Sequence, residues 1–428
     1  MPKIVSRTAM PDDMEDIELL IKRAFDNPSA HGRPYPALDL VIITEMDGEI
    51  VGHVSIRPID VIARGSRVCC GVLHMVCIDP SHQREGIGTA MLHEAARVMD
   101  EEGLLISLLE TPVPRFYELS DWCQLPPKKT LVLTRSIVNK LPSDGRVELV
   151  EITGDRGIDL VRSCSRSHDP LHDIVAVDNR SYLEIDLADH LQGSITKFLH
   201  GITLSGKPIG FIVGERGSTY TKEGTLNIKV ERCCFINPPS LEIISQACKG
   251  LFSFDEEFTE IHFKTPLAPS LISSLEKAGS TIIHQGNIDM LRINSVSRFL
   301  EAISPHLEET WLNHVEEIIE RVKVPEFALQ VAGETILFRF SREKITISDF
   351  TCDIDLIPSM RISRKELASL VCGHAGTLDL IRSRSEKAIL QDAMTQLSLV
   401  FPERETRVRY NSHSFRAFTR LARENPPL

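Results

Sequence analysis

Apolar and polar positions alternate in short runs over the first 135 residues, and the runs predict a mixed α/β sheet. Residues 3–7 read as a short strand, and Asp12–Phe25 as a helix with acidic residues in its first turn. Leu38–Glu45 and Ile50–Ile56 read as strands around Asp47-Gly48, a two-residue hairpin signal. A further strand covers Ile59–Ala63, with Gly65-Ser66 as the next turn, and the apolar run Val72–Ile78 is a buried strand. Ile87, Met91, Ala95 and Val98 recur at helical spacing, and Gly103 ends that helix. Leu104–Leu109 is another buried strand, Phe116–Leu119 a short helix, and Thr130–Arg135 the strand expected to close the sheet.

The same landmarks return without gaps 158 residues later. Gly48 meets Gly206 (206 − 48 = 158), Gly52 meets Gly210, Ile78 and Pro80 meet Ile236 and Pro238, and Glu118 meets Glu276. Recurrence at a fixed offset marks duplicated architecture. Ser136–Arg146, with Pro142, Ser143, Asp144 and Gly145, reads as the linker. A third region begins near Val296, with a charged helix around Glu308–Arg321 and strands over Phe327–Val331, Thr335–Phe340 and Lys344–Phe350. Helices follow at Arg364–Cys372, stopped by Gly373, and at Ile389–Val400, where Leu390, Ala393, Met394 and Leu397 form one stripe before Pro402. The expected organisation is therefore three domains, over 1–136, 146–294 and 296–428.

Composition narrows the class. The 428 residues are 42% hydrophobic and 25% charged, as in ordinary soluble proteins. No run approaches the ~18 apolar residues of a spanning helix, and Met1-Pro2-Lys3 does not open a signal peptide, so a cytoplasmic protein without a membrane span is expected. A net charge of −12 argues against nucleic acid as a partner. The ten cysteines include no C-x-x-C pair, and Pro170 makes His168–Asp173 read as a loop, so no metal site is expected.

The chemistry-bearing segment is Gln83-Arg84-Glu85-Gly86-Ile87-Gly88, lying between the Val72–Ile78 strand and the following helix. Strand, glycine-bearing loop and helix N-terminus form a phosphate cradle: glycine lets the backbone approach the anion, and the first helical N–H groups receive its charge. In the second copy Leu241, Ile244 and Gln246 stand opposite Gln83, Gly86 and Gly88, and Leu275 opposite Tyr117, so that copy is expected to bind no such ligand.

The Gln/Arg-x-x-Gly-x-Gly spacing resembles the acyl-CoA loop of the GNAT N-acetyltransferases. Phe116-Tyr117-Glu118-Leu119-Ser120-Asp121-Trp122 resembles the Phe-Tyr-x-x-x-Gly-Phe segment of that family, with Asp121 in place of glycine and Trp122 in place of phenylalanine. Asp is among the few residues that tolerate a positive φ, so the turn survives the exchange. The resemblance implies that Val76, Cys77 and Ile78 pair with pantetheine, that Arg84, Glu85, Gly86, Ile87, Gly88 and Thr89 hold the pyrophosphate, and that Tyr117 protonates the leaving sulfur. His74, on one strand face with Val72 and Val76 by the period of two, is a candidate general base, with Glu110 as a second. Over nearly the whole chain the pattern is similar to the Eis-like acetyltransferases. That likeness implies tandem GNAT mixed-sheet domains, α/β (α+β) in class, followed by a smaller sterol-carrier-protein-like α+β domain matched best at Met360–Gly373. It also implies acetyl-CoA as acyl donor with no metal, a primary amine of a small molecule or lysine as acceptor, direct attack in a ternary complex, and a homo-oligomer, with hexamers among the family's assemblies. Some members use the terminal carboxylate as base, here that of Leu428. The alternative is a non-catalytic protein binding acyl-CoA or a hydrophobic ligand.

Overall fold

A computed structural model of the chain describes residues 3–25, 40–126, 129–152, 197–217, 226–254, 256–264, 269–284, 287–313, 325–349, 357–373, 388–401 and 408–409, the shorter pieces 159–161, 174–176 and 376–377, and the single residues 164, 267 and 381. The first elements in chain order are β1 (Ile4–Thr8), α1 (Met14–Phe25), β2 (Leu40–Met46), β3 (Glu49–Ala63), β4 (Ser66–Ile78), α2 (Ile87–Glu101), β5 (Ile106–Thr111), α3 (Pro114–Glu118) and β6 (Cys123–Gln124). Next come β7 (Lys129–Thr134), α4 (Arg135–Lys140), β8 (Val147–Glu151), β9 (Ile174–Ala176), β10 (Lys197–Leu204), β11 (Lys207–Arg216), β12 (Asn227–Phe235), α5 (Leu241–Ser253), β13 (Glu260–Phe263), α6 (Pro269–Lys277) and β14 (Thr281–His284). The last are β15 (Ile288–Ile293), α7 (Val296–Leu312), β16 (Glu326–Val331), β17 (Glu334–Phe340), β18 (Ile345–Asp349), β19 (Ser359–Ile362), α8 (Arg364–Val371), α9 (Ala388–Val400) and β20 (Val408–Arg409).

The strands form three mixed sheets, ordered β1-β2-β3-β4-β5-β15-β6 with β9 and β20 at its side, β14-β7-β13-β12-β11-β10-β8, and β18-β17-β16-β19. Two compact units result: the first takes in Met1–Pro126, Asp173–Val177 and Asn287–Ser412, the second Pro127–His172, Asp178–Gly286 and His413–Leu428. Both hairpin turns of the repeat carry two consecutive residues at positive φ, Asp47 (52°) with Gly48 (91°) and Ser205 (50°) with Gly206 (77°), the geometry that matches strand twist.

Thr130–Arg135 does not close the first sheet. As β7 it pairs with β13 (Leu131 opposite Phe263) and β14 (Val132 opposite Thr281) in the second. The place beside β5 is taken by β15, with Met290 opposite Leu109 and Ile293 opposite Ile106. Ile50–Ile56 and Ile59–Ala63 are one strand, β3, carried through Pro58 opposite Gly71. Among the described residues the β2 ladder reaches the Leu40–Ile56 pair, two positions before the proline. The loop expected at 168–173 and the residue Leu428 lie outside the described residues.

Strand alternation gives the first sheet two buried faces. Ile42, Val54, Ile56 and Leu73 pack on Met91, Ala95 and Val98 of α2. On the other face Val41, Ile43 and Cys77 meet Ile17, Leu20 and Ile21 of α1, while Cys70, Val72, Ile106 and Leu108 join Phe299, Ile303 and the third sheet. On the inner face of that third sheet Phe327 stacks on Phe338 at 5.2 Å, and Trp311 of α7 packs on Phe340 at 4.9 Å.

Candidate active site

The site begins where β4 and β5 part. Their parallel ladder runs through Cys70–Ile106, Gly71–Ser107 and Val72–Leu108 and stops there, although β4 continues to Ile78 and β5 to Thr111. Val76, Cys77 and Ile78 all lie beyond the last pair, in the opening between the strands. A β-bulge sharpens it. Ser55 faces His74, but His53 faces Cys77, so Met75 and Val76 together stand opposite Val54. Met75 takes the extra residue in the left-handed region, at φ 53°.

The bulge overturns one expectation. With strict alternation His74 would share a face with both Val72 and Val76; the extra residue moves Val76 and Ile78 to the α2 side beside Leu73, while Cys77 faces α1. His74 stays half-buried opposite Ser55. Its neighbour His53 is fully buried, and its Nδ1 lies 2.8 Å from the Met75 carbonyl oxygen. A carbonyl only accepts, so Nδ1 carries the proton, and Nε2 then accepts from the Ser55 hydroxyl at 3.3 Å. Burial above all, aided by nearby His74, lowers the His53 pKa to about 4. His53 thus stays neutral and pins the bulge. The sequence signal was an imidazole among the apolar residues Ile50, Val51, Val54 and Ile56.

After β4, Asp79 caps a short turn at Pro80–His82, accepting from the Ser81 amide at 3.0 Å and from Arg23 Nε at 2.8 Å. Burial raises its pKa, but hydrogen bonds from Ser81 and Arg23 outweigh that and hold its carboxyl below the usual range. The chain then adopts two left-handed residues, Arg84 (φ 70°) and Gly86 (φ 84°), the latter the N-cap of α2. Gln83, Arg84, Glu85, Gly86 and Thr89 are exposed, and a Cβ built on Gly86 meets nothing within 4 Å. The loop that leads into α2 is therefore bare and open to solvent, as an anion cradle requires. Ile87 and Gly88 are buried instead. A Cβ on Gly88 would come within 2.7 Å of Phe116 Cζ and 2.8 Å of Ile78 Cδ1, so this glycine serves the packing of α3 on α2.

Tyr117 follows Phe116 on α3, with its ring edge-on to Phe116 at 4.9 Å and to Trp122 at 6.1 Å. Only 6% of it is exposed. Desolvation raises its pKa to about 12 despite a hydrogen bond with the Thr111 side chain, so the phenol keeps its proton at neutral pH. Asp121 has φ 67°, the left-handed turn anticipated for that position. Glu110 accepts from Asn287 Nδ2 at 3.1 Å and lies opposite Asp289 on β15. Met75, His53, Ser55 and Thr111 are the site residues that pattern alone had not singled out. Among the described residues no group of His, Cys, Asp and Glu is placed to hold a metal, and no helix is long and apolar enough to cross a membrane.

Residues 6–124 match the model of an acetyltransferase (GNAT) domain. No curated protein matches the chain. Among solved structures, a GCN5-related N-acetyltransferase from Anabaena variabilis superposes with a TM-score of 0.70 at 13% identity, covering 95% of this chain and 99% of that one. A conserved protein from Enterococcus faecalis described as a probable N-acyltransferase gives 0.67 at 12% identity, over 93% and 97%. Eis1 from Mycobacterium abscessus gives 0.63 at 14% identity, over 95% and 98%. At these identities what is shared is the fold, along nearly the full length of each chain.

Proposed function

We propose that the first unit transfers an acetyl group from acetyl-CoA to a primary amine by direct attack in a ternary complex. The observation that carries this reading is the bare left-handed turn at Gly86, opening α2 just beyond the point where β4 leaves β5. The residues present fit the donor. The exposed amides of Arg84, Glu85, Gly86 and Thr89, with the Arg84 guanidinium and the Thr89 hydroxyl, would take the pyrophosphate, and Ile87 and Gly88 would set the helix start. The unpaired edge of β4 at Val76, Cys77 and Ile78 would pair with the pantetheine amides as an added strand.

Acetyl-CoA would supply the activated thioester. As the amine nitrogen bonds to the carbonyl carbon and the carbon–sulfur bond breaks, one proton must leave the nitrogen and one must reach the sulfur. Tyr117, kept protonated by burial, gives its phenolic proton to the thiolate. His74 takes the amine proton, directly or through water, while His53 keeps the bulge beside it in place. Glu110 is the other candidate for the base. We extend the reading to three modules, in which the expected bounds of the first two, 1–136 and 146–294, are crossed by β7 and β15 exchanging sheets and the third, over 296–428, is of sterol-carrier-protein type, and to a homo-oligomer in the cytoplasm.

The test is thiol release from acetyl-CoA in the presence of polyamines, aminoglycosides and lysine peptides. Release with at least one amine, abolished by Tyr117→Phe with CoA affinity unchanged, is expected; tight CoA binding without transfer to any amine would replace the enzyme with a binding protein.

A further inference from the structure

The segment bearing Tyr117 has little to hold it locally. Helix α3 spans five residues, too few for a helix to persist on its own propensity, and Asp121 then turns the chain left-handed. Its grip comes from elements 170 to 250 residues further along. Arg292 of β15 donates through Nε to the Ser120 carbonyl at 3.3 Å. Lys365 of α8 donates through Nζ to Glu118 Oε1 at 2.9 Å, and the same oxygen accepts from Gln124 Nε2 at 2.9 Å, joining α3 to β6. One turn along α8, Ser369 Oγ meets Cys123 Sγ at 3.1 Å. Arg364 anchors the start of that helix by donating to the carbonyls of Ile293, at 3.0 Å, and Asn294.

We infer that Lys365 is a positioning residue for Tyr117, through which the C-terminal helix α8 sets the orientation of the proton-donating tyrosine. The inference rests on the reading of Tyr117 as the acid. The ammonium meets the residue adjacent to Tyr117, and Glu118 passes the restraint to β6, on the far side of the Asp121 turn. The pair is partly exposed, at 41% for the Lys365 side chain and 25% for Glu118, so its own contribution to stability is small. Its effect falls on geometry, where displacement of a reacting group by an ångström costs far more than the lost contact. The Glu118 carboxyl is held below the usual range, first of all by its bond to Lys365, which keeps the pair charged.

The experiment compares full-length wild type, Lys365→Met, Lys365→Arg and, as a control, Arg339→Met, whose exposed pair with Glu326 joins β16 to β17. The probe is acetyl-CoA with a mixture of spermidine, an aminoglycoside and an amino-blocked lysine peptide, alongside hydrogen exchange over residues 115–124. Lys365→Met is expected to lower kcat about tenfold, with KM for acetyl-CoA within about twofold, the melting temperature within about 2 °C, and faster exchange confined to that segment. Lys365→Arg restores most of the rate, Arg339→Met changes nothing, and Lys365→Met adds no loss in a Tyr117→Phe background. Unchanged exchange, unchanged kcat, or an equal loss on top of Tyr117→Phe overturns the inference. If Tyr117→Phe alone leaves turnover intact, the acid assignment fails, and the exchange arm still judges the restraint.

Discussion

Two strand–loop–helix segments lie 158 residues apart in this chain, and only the first keeps a bare left-handed turn before its helix. In both, the parallel ladder ends at the same place, Val72 with Leu108 and Val230 with Phe263 (230 − 72 = 158). They differ in where the next helix begins. Helix α2 starts at Ile87, and the equivalent start would be 245, yet α5 starts at Leu241 behind its N-cap Ser240. Those four residues are one helical turn. In the first copy the left-handed Arg84 and Gly86 hold that turn open; in the second, residues 241–244 wind it into helix. Parted strands come from sheet register, whereas the cradle comes from residues that delay the helix. The proton-handling residues diverge as well. Opposite His53 and His74 stand Phe211 and Arg232, whose guanidinium sits 5.4 Å over the ring, and arginine cannot accept a proton. Opposite Tyr117 stands Leu275, fully buried.

The largest effect should come from removing the hydroxyl that the second copy lacks. Tyr117→Phe is expected to lower kcat about 10³-fold with the CoA dissociation constant within about twofold, measured by steady-state turnover and calorimetry. Next is acid stability. An unfolded His53 takes a proton below its usual 6.5, but the folded one refuses it until about pH 4. The stabilisation is therefore complete above the upper value and is lost as pH falls through that window, by on the order of 3 kcal/mol. Denaturant titrations between pH 7 and 4 should show this fall, and His53→Phe, which installs the second copy's residue, should flatten it. His74→Gln should cost about 10²-fold in kcat; a loss below about threefold would transfer the base to Glu110 or another group. The smallest effect is Gly88→Ala, whose Cβ must push back Phe116 and Ile78, for about 1–3 kcal/mol of stability in chemical denaturation.

Much of this site was legible because it is local. The Asp47-Gly48 hairpin, the helix from Ile87, the bare loop before it and the left-handed Asp121 each follow from residue types within a few positions. What pattern missed is either non-local or unsupported by residue type. Strands β7 and β15 are short segments whose residue types would suit either sheet, and only tertiary pairing sends each into the sheet further from it in sequence. Methionine carries no preference for positive φ, so the bulge at Met75 has no local signal; it depends on His53, twenty-two residues away. The early start of α5 did have a signal, Pro238-Pro239-Ser240, a break followed by a good N-cap, which a gap-free offset conceals.

The most direct measurement is calorimetric titration of the full chain with CoA, for wild type, Gly86→Ile and Ile244→Gly. The account predicts one site per chain, weakened at least a hundredfold by Gly86→Ile, because a β-branched residue neither adopts φ 84° readily nor leaves the cradle bare. Ile244→Gly should leave both affinity and stoichiometry as they were. Two sites per chain in wild type, or undiminished binding by Gly86→Ile, would contradict it.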